Sequence, residues 1–442
     1  MKLGLIAMSG VRAHNPELTA LGLTLPGFVE RNKVIASLPS LGLLTLAGLT
    51  PQSVDTHYLE VPDITAVDGV PEEFDVVAIS SFSAQIAEAY ALADRYRALG
   101  TKVILGGLHV SAVPDEAAAH ADAVVIGEGE PVWPQVMADL LSSPPRLQAV
   151  YDARGTPFDF SRSPMPRFDL LKIDNYNRLT VQTQRGCPFR CEFCAASMRI
   201  SPVYKVKPVA RVMDEIHAIK ELWRRPFIEF ADDNTFVNKA HSKQLMRALA
   251  RQGVRWFTES DLAVADDPEL LAMMKDAGCA EILIGFEGTT FSALNGVEQQ
   301  SNWKAKKVDR YLGAIRAIQD HGIRVNGCFI LGLDGTGTDS FESVWNFVRA
   351  SGLYDIQITV QTAFPATPLY ERLRREGRVL RESAWELCTL FDVNFRPSHM
   401  SVAELESGFR GLISLIYSQE ETQRRRTKFY RNYREKRMRA VA

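Results

Sequence analysis

The segment RGCPFRCEFC, residues 185–194, places Cys187, Cys191 and Cys194 within eight positions. The chain of 442 residues has only six cysteines, so half of them fall in this one segment. In a reducing compartment a cysteine cluster indicates a metal-binding or catalytic site more often than disulfides. A structural zinc site usually takes four ligands in two separated pairs, and the sequence has no second CxxC. Three thiolates without a fourth can hold three irons of a cubane cluster and leave the fourth iron open.

The segments on either side of the cysteines alternate between strand and helix patterns. The strand LTVQT (179–183) precedes the cysteine loop, and the helix PVARVMDEIHAIKELW (208–223) follows it. Helical stretches separate five further strand-like runs: FIEFAD (227–232), RWFTES (255–260), EILIGFE (281–287), RVNGCFILG (324–332) and IQITVQT (356–362). These six β/α units predict a partial (β/α)6 barrel over residues 176–375. The cysteine loop then lies at the carboxyl end of the first strand, where barrel active sites are built.

Residues 1–145 contain an earlier series of alternating strands and helices. Strand patterns at 3–8, 54–61, 74–80 and 102–107 surround a helical pattern at 85–100. Such alternation predicts an α/β domain with a doubly wound parallel sheet of the Rossmann type. Ligands bind at the carboxyl ends of these strands. Small or polar residues that let a bulky ligand approach the backbone stand at those ends: Ser80, Ser81, Gly106, Gly107, Gly127, Glu128 and Gly129.

Two further regions complete the predicted organisation. Residues 146–175 are rich in Pro, Ser, Arg and Asp, which is typical of a linker. Residues 376–442 form a predicted helical C-terminal segment that ends in the basic tail RRRTKFYRNYREKRMRA (424–440). The tail could bind RNA or an anionic membrane, or it could be a solvated helix end. No RNA-binding module is recognisable, so we do not expect a nucleic-acid partner.

The overall composition limits the possible classes of protein. The net charge is −2, too close to neutral for the whole molecule to bind nucleic acid by bulk electrostatics. No run of about 18 apolar residues predicts a transmembrane span. The segment MKLGLIAMSG lacks the pattern of a secretory signal, so we expect a cytoplasmic protein.

The CxxxCxxC spacing, with Phe193 before the last cysteine in a strand–loop–helix setting, resembles the radical S-adenosylmethionine (SAM) superfamily. This resemblance implies a [4Fe-4S] cluster held by Cys187, Cys191 and Cys194. Its open iron would chelate the amino and carboxylate groups of S-adenosylmethionine. The resemblance also implies a small-molecule substrate and a one-electron reductant such as flavodoxin or ferredoxin.

The same resemblance implies further cofactor contacts in the barrel. In FADDNTFVN, the residues Asp232, Asp233 and Asn234 stand where contacts to the methionine amino group are expected. By the same comparison, Glu287 ends the fourth strand at a ribose-binding position, and Ile330 in CFILGLDG would pack on the adenine. Glu259, at the end of the third strand, is a further candidate, with a structural role as the alternative. The segment TAFPATPLYERL resembles the sixth-strand ending "PGTPLY", with Ala366 in place of the usual glycine.

The N-terminal domain resembles the cobalamin-binding domain of the B12-dependent radical-SAM class. The matching segments include LPSLGLLTLAGL (38–49) and GGLHVSAVPDEAAAHADAVVIGEGE (106–130). The resemblance implies that the nucleotide tail of cobalamin lies among the strand ends, with His109 as an expected polar contact. The DxHxxG motif of enzymes that ligate cobalt by histidine is absent, since the region reads SGVRAHNPEL. A domain retained as a scaffold without a cofactor is the alternative.

Together these resemblances imply a cobalamin-dependent radical-SAM enzyme. We expect it to use S-adenosylmethionine to methylate an unactivated carbon of a small molecule, lipid or tetrapyrrole. One alternative is a radical-SAM cyclase or rearrangement enzyme that transfers no methyl group. Another is a ligand-sensing binding protein in which the iron–sulfur cluster is structural.

Overall fold

The computed structural model describes residues 1–20, 38–156, 158–195 and 203–441. Its first sheet has six parallel strands in the order β2-β1-β3-β4-β5-β6. These strands are β1 (Lys2–Met8), β2 (Asp55–Val61), β3 (Val76–Ser80), β4 (Lys102–Gly106), β5 (Ala123–Ile126) and β6 (Val150–Asp152). Most of them are continuous apolar runs, as expected for parallel strands with helices on both faces. The predicted doubly wound parallel sheet is therefore confirmed.

Six helices accompany the first sheet. They are α1 (Pro16–Ala20), α2 (Leu41–Leu49), α3 (Ile86–Ala98), α4 (Leu108–Ala112), α5 (Pro114–Ala118) and α6 (Trp133–Leu141). Helix α2 begins at the N-cap Ser40, whose hydroxyl accepts a hydrogen bond from the Leu43 backbone N–H. The indole N–H of Trp133 donates to the Thr50 hydroxyl over 3.0 Å, which joins α6 to the end of α2.

The first sheet extends into the segment that we predicted to be a linker. Strand β6 lies within 146–175 and pairs with β5 through Val124–Val150 and Ile126–Asp152. It has three residues, and only its central Tyr151 is buried, so it lacks the apolar run by which a strand is recognised. The N-terminal sheet therefore ends at Asp152 rather than before residue 146.

The second sheet is the predicted barrel, also with six parallel strands. Its order is β14-β13-β12-β11-β10-β7, and the sheet is open between β14 and β7. The strands are β7 (Leu179–Val181), β10 (Phe227–Phe230), β11 (Arg255–Ser260), β12 (Cys279–Glu287), β13 (Arg324–Leu331) and β14 (Asp355–Val360). The short pair β8 (Gln184–Arg185) and β9 (Lys205–Val206) is antiparallel and flanks the cysteine loop.

Helices follow the barrel strands and cover their outer faces. They are α7 (Val209–Leu222), α8 (Lys239–Leu249), α9 (Pro268–Asp276), α10 (Phe291–Leu294), α11 (Tyr311–Asp320), α12 (Asp339–Ser351) and α13 (Pro368–Arg375). The Trp256 indole shows how the layers join: it packs against Phe230 with ring centroids 5.0 Å apart. Its N–H donates to the Ala277 carbonyl at 2.8 Å. Residues on alternate positions of these strands face the interior of the barrel.

The C-terminal segment is helical only in its later part. Residues 376–401 are largely irregular, and α14 (Val402–Ile416) and α15 (Gln419–Val441) follow. The predicted helical segment 376–442 is corrected accordingly. Helix α14 begins at a capping box between Ser401 and Glu404. Short 3-10 helices lie at Ile64–Ala66, Ser83–Gln85, Phe160–Arg162, Phe168–Leu170, Ile173–Asn175, Leu262–Asp266, Ala305–Arg310 and Trp385–Leu387.

The basic tail forms part of α15 and packs against the barrel. Phe429 is 5% exposed, and Arg425 donates to the Ile416 carbonyl from a buried position. Within the described residues, no helix is both long and apolar enough to cross a membrane.

Candidate active site

The cysteine loop is held against two other segments of the barrel. Cys191 is 8% exposed and forms an isolated antiparallel bridge with Glu298, while Cys187 and Cys194 are half-buried. The backbone of Glu192 donates to the Val297 carbonyl at 2.9 Å and accepts from the Leu369 N–H at 3.0 Å. The loop is therefore fixed by the chain after β12 and by the start of α13.

Two carboxylates reinforce these contacts. The Glu192 carboxylate accepts two hydrogen bonds from the Arg372 guanidinium, at 2.8 and 3.1 Å. The Glu298 carboxylate accepts hydrogen bonds from the backbone N–H groups of Gln300 and Ser301 and from the Ser301 hydroxyl. Burial alone would raise the pKa of Glu298, but these donors hold it at about 2. Glu298 therefore remains charged at neutral pH, and the hydrogen bonds of both carboxylates keep the loop in place.

The donor set of the loop fits an iron–sulfur cluster. Burial raises the pKa of the Cys187 thiol to about 11 and that of Cys191 to about 12. Among the described residues, no three His, Cys, Asp or Glu side chains converge on one metal ion. In a cubane cluster each thiolate binds a different iron, so the three cysteines need not share one metal ion. Phe193 lies between the last two cysteines and packs against the hydrophobic core.

Asp232 joins the end of β10 to the turn that precedes the cysteine loop. Its carboxylate accepts hydrogen bonds from the Thr183 backbone and hydroxyl, the Gln184 N–H and the Thr235 hydroxyl, at 2.6 to 3.1 Å. It is almost wholly buried, and burial raises its pKa to about 6 against these hydrogen bonds. It fixes the turn between β7 and β8, from which the cysteine loop starts. The contact between Asp232 and the methionine amino group stays a prediction.

The next two residues lie beside the cysteine loop. The Asp233 carboxylate accepts a hydrogen bond from the Gly186 N–H at 2.7 Å and faces the cavity between the domains. The buried Asn234 amide donates to the Asp261 carboxylate at 2.7 Å and lies 4.0 Å from the Cys187 sulfur. Asn234 therefore positions Cys187, and Asp233 is the member of the predicted trio with a carboxylate toward open space.

Glu259 points into the barrel interior from the end of β11. Enclosure within the barrel raises its pKa to about 7, and the charges of Glu229, Asp233 and Glu287 raise it further, whereas Arg178 lowers it. The side chain is exposed to the open space of the barrel. A cation bound there would be attracted by this group of carboxylates.

Glu287 ends β12 in a left-handed conformation with φ 64°. Its carboxylate pairs with the buried Lys304 ammonium at 2.5 Å, and Lys304 also donates to the Gly285 carbonyl at 3.1 Å. The charges of Glu287 and Cys191 both raise the pKa of Lys304, so this cation lies next to the cysteine loop. Ile330, on β13, is partly buried against the core. The end of β12 therefore lies beside the cysteine loop through the Glu287–Lys304 pair.

A cavity of about 350 Å³ lies between the strand ends of the first sheet and the cysteine loop. At Gly107, φ is 100° and an added Cβ would lie 2.8 Å from the Ser80 hydroxyl. At Gly129, an added Cβ would lie 3.1 Å from Leu46. These glycines keep the cavity open, which fits the nucleotide tail of a cobalamin. The predicted residues that line it are Ser80, Gly106, Gly107, Gly127, Glu128 and Gly129.

Two ion pairs that the sequence analysis missed join the domains at this cavity. Arg185 donates to the carboxylates of Glu128 and Glu130, each at 2.7 Å. Burial alone would raise the pKa of Glu130, but the Arg185 guanidinium holds it below its usual value. The Arg185 guanidinium also lies 4.8 Å from the centre of the Phe160 ring. The sequence contains both partners, in GEGE (127–130) and in RGC (185–187). It could not show that they form ion pairs, because that depends on how the two domains pack together.

Two predicted residues do not line the cavity. The Ser81 hydroxyl donates to the Phe82 carbonyl. His109 is 0% exposed, with Nδ1 at 3.0 Å from the Ser83 hydroxyl and Nε2 at 3.5 Å from the Glu116 carboxylate. Its ring packs edge-on against Trp385 of the C-terminal segment. His109 therefore packs the first domain against the C-terminal segment, and its contact with cobalamin stays a prediction.

Three family models match the chain. The Radical SAM superfamily model matches residues 181–348, and the B12 binding domain model matches residues 31–136. A domain of unknown function, DUF4070, matches residues 367–442. The first two models meet at the cavity and cysteine loop described above.

Proteins of similar sequence include named methyltransferases. Bacteriochlorophyllide d C-12(1)-methyltransferase of Chlorobaculum tepidum is 27% identical over 390 residues, covering 85% of this chain and 82% of that protein. An uncharacterized methyltransferase of Synechocystis sp. is 30% identical over 369 residues, covering 82% and 67%. The radical S-adenosylmethionine methyltransferase TsrM from Kitasatospora setae has a similar fold, with TM-score 0.66 at 15% identity, covering 86% and 77%.

Proposed function

The chain belongs to the radical SAM superfamily, and from this premise we propose that it is a cobalamin-dependent enzyme that methylates an unactivated carbon. The methyl donor is S-adenosylmethionine, and the acceptor is a small molecule, lipid or tetrapyrrole. The observation that carries this proposal is a cavity bounded by the strand ends of the first sheet and, on the barrel side, by Arg185 and Asp233, which flank the cysteine loop. Through it a methyl carrier and a radical-generating centre would face the same space.

The bound cluster supplies one-electron cleavage of S-adenosylmethionine, and bound cobalamin supplies a methyl carrier. Cys187, Cys191 and Cys194 provide the three thiolates of the cluster. The Glu192–Arg372 and Glu298 contacts fix the loop, so that the thiolates stay in place when the substrate enters. The protein therefore contributes positioning rather than acid–base chemistry at this loop.

Carboxylates at the barrel strand ends suit the charges of S-adenosylmethionine. Asp233 and Glu259 face open space, and their negative charge favours the cationic sulfonium and ammonium groups. Glu287, held by Lys304, would accept hydrogen bonds from the ribose hydroxyls. Ile330 would pack on the adenine, because near the end of β13 it is the apolar side chain that remains partly exposed, whereas Leu331 is buried.

The glycines of the first sheet would receive the nucleotide tail of cobalamin. Among the described residues that line the cavity there is no histidine, which supports a cobalt whose lower face is not held by a histidine of this chain. Apolar side chains of α2, including Leu41 and Leu46, form one wall of the cavity and would contact the tail. The polar residues Glu128 and Arg185 close the other side toward the barrel.

The reaction needs a one-electron donor, and we assign this role to a small carrier such as flavodoxin or ferredoxin. Arg190 is exposed next to the buried Cys191, so a positive side chain marks the loop surface. A low-potential carrier and reduced thiols are both available in the cytoplasm, which supports a cytoplasmic location.

The test uses S-adenosylmethionine with a deuterated methyl group, reductant and candidate acceptors of the three classes. Methyl transfer gives a product heavier by one deuterated methyl, with one further S-adenosylmethionine cleaved to 5′-deoxyadenosine per product. A Cys191→Ala variant should give neither. Formation of 5′-deoxyadenosine together with a product that carries no label would contradict methyl transfer and favour a cyclase or rearrangement.

A further inference from the structure

A second cavity, of about 260 Å³, lies at the opposite end of the barrel from the cysteine loop. Its floor is formed by the first residues of three neighbouring strands, Arg255 of β11, Cys279 of β12 and Arg324 of β13. Its roof is helix α15, in the segment matched by the model of unknown function. The carboxyl ends of the same strands carry Glu259, Glu287 and Ile330. The second cavity and the candidate active site therefore lie at opposite ends of these strands.

We call this second cavity, at the amino ends of the barrel strands, the base cavity. Three cationic residues line it: Arg255, Lys275 and Arg324. No carboxylate of the described residues lies within 4.0 Å of the Lys275 ammonium or of the Arg255 guanidinium. Lys275 instead donates to the Gly322 carbonyl at 2.8 Å. The third cation, Arg324, lies 3.4 Å from the Glu281 carboxylate on the barrel side. Two of the three positive charges therefore have no carboxylate partner among the residues that the structure describes.

The electrostatics of Lys275 agree with this arrangement. Burial lowers the pKa of Lys275, and the nearby positive charges of Arg255, Arg324 and Arg437 lower it further, against an opposing effect of Cys279. An anion in the cavity would relieve this repulsion and be attracted by all of these cations.

The roof provides aromatic rings beside the cations. Phe429 is buried, Tyr430 is 46% exposed, and Tyr433 lies against Gly322, where an added Cβ would be 2.6 Å from its ring. The Lys275 ammonium lies 5.6 Å from the centre of the Tyr433 ring. An exposed tyrosine beside a cationic pocket offers a surface on which a flat ring can pack. Phe429 and Tyr433 of the basic tail therefore pack on the barrel, whereas Tyr430 remains exposed.

We propose that this base cavity binds a small phosphorylated aromatic molecule, such as a nucleoside phosphate. Its phosphate contacts Lys275 and Arg255, because Lys and Arg side chains are the usual partners of phosphate oxygens. Its ring packs on Tyr430. The volume is just below the usual range for small-molecule sites, about 300–1,000 Å³, which restricts the ligand to a compact molecule. The proposal concerns binding only and is independent of the proposed methyl transfer.

The test uses phenyl phosphate as the probe and calorimetry on the holoenzyme, with cluster, cobalamin and S-adenosylmethionine present so that those sites are filled. We expect saturable binding with a Kd of about 1 mM or tighter. The double variant Lys275→Gln/Arg255→Gln should weaken it at least about tenfold. Arg349→Gln is the matched control: Arg349 also lies over an aromatic ring, 5.6 Å from Trp345, but outside the cavity. The Arg349→Gln variant should bind phenyl phosphate with the same affinity as the parent protein.

Two further comparisons separate the contribution of the phosphate contacts from that of the Tyr430 ring. Inorganic phosphate should bind more weakly than phenyl phosphate, and Tyr430→Ser should remove that difference. Absence of saturable binding up to about 10 mM phenyl phosphate would overturn the proposal. Equal affinity in the parent and the double variant would overturn it as well. If the parent protein bound phosphate and phenyl phosphate equally well, the claim that the ring of the ligand packs on Tyr430 would be overturned.

Discussion

At the scale of single residues, the buried ion pair of Lys304 gives a prediction about the free energy of unfolding. It is buried, pairs with Glu287 at 2.5 Å and lies beside Cys191. Lys304→Met would leave the Glu287 carboxylate buried without its partner. We expect a loss of about 3–5 kcal/mol in the free energy of unfolding, because removal of one member of a buried pair costs this much. Urea unfolding of the reconstituted protein measures the loss.

A double variant distinguishes the ion pair from simple packing. Lys304→Met/Glu287→Gln removes both charges and should recover part of the stability that Lys304→Met loses. Lys306→Met is the control, since Lys306 is exposed and only donates to the Ser301 carbonyl. Its effect should be within about 0.5 kcal/mol. Equal midpoints for Lys304→Met and Lys306→Met would show that the pair contributes nothing.

Glu259 gives a pH-dependent prediction. Its pKa is raised from 4.5 to about 7 by enclosure in the barrel and by neighbouring carboxylates, so the folded protein keeps a proton that the unfolded chain has lost. Its contribution to stability is therefore lost as the pH rises from about 4.5 to 7. Relative to the parent, Glu259→Gln should gain stability over this range and then remain constant. Thermal unfolding at several pH values, with exposed Glu269→Gln as control, measures the difference. A difference independent of pH would contradict it.

The residues of the FADDN segment show what a sequence pattern can and cannot predict. The pattern correctly placed Asp232, Asp233 and Asn234 next to the cysteine loop. It could not show that the Asp232 oxygens are used by the turn at Thr183, because that depends on the backbone geometry between two strands. In the same way, the burial of His109 follows from contact with a distant segment and leaves no local signal.

At the scale of secondary-structure elements, the contact between Arg372 of α13 and Glu192 of the cysteine loop can be tested directly. We call this contact the clamp on the loop. Arg372 on α13 makes two hydrogen bonds to Glu192, and it also pairs with Asp334 at 2.7 Å. We expect Arg372→Gln to keep the fold but to loosen the loop. S-adenosylmethionine cleavage should then slow by about tenfold, a cost of roughly 1.4 kcal/mol in transition-state positioning. The measurement is 5′-deoxyadenosine formation per cluster, normalised to iron content.

A neighbouring arginine provides the control for this clamp. Arg374 lies on the same helix but is exposed and pairs only with Glu371 at 2.9 Å. Arg374→Gln should cleave S-adenosylmethionine at the parent rate, since exposed pairs contribute little. If both variants behaved alike, the Glu192–Arg372 contact would have no positioning role.

The twelve strands of the two parallel sheets were not equally predictable. The long apolar runs of β1, β12 and β13 are buried on both faces, and their composition alone identifies them. Strand β6 is short and only its Tyr151 is buried, so the sequence pattern resembled a linker. The open barrel order β14 to β7 followed from the alternation of strands and helices, because right-handed crossovers leave few other arrangements.

At the scale of the whole molecule, Arg185 joins the two domains beside both proposed cofactor sites. Arg185→Met would leave Glu130 as a buried carboxylate without its arginine partner, while Glu128 would keep only its pair with Lys205. We expect cobalamin affinity to fall at least about tenfold, because the polar wall of the cavity would rearrange. Equilibrium dialysis with hydroxocobalamin measures it. The control is Arg154→Gln, whose exposed partner is Asp152. Unchanged affinity in Arg185→Met would contradict this role.

The most direct test of the central claim is an anaerobic absorption spectrum. The protein is reconstituted with iron, sulfide and hydroxocobalamin and then desalted. If one chain holds both cofactors at the domain junction, corrin bands persist beside the broad iron–sulfur absorption. Cys187→Ala/Cys191→Ala/Cys194→Ala then loses the iron–sulfur absorption and keeps the corrin bands. Iron–sulfur absorption without corrin bands in the parent protein would contradict the claim that the cavity binds cobalamin.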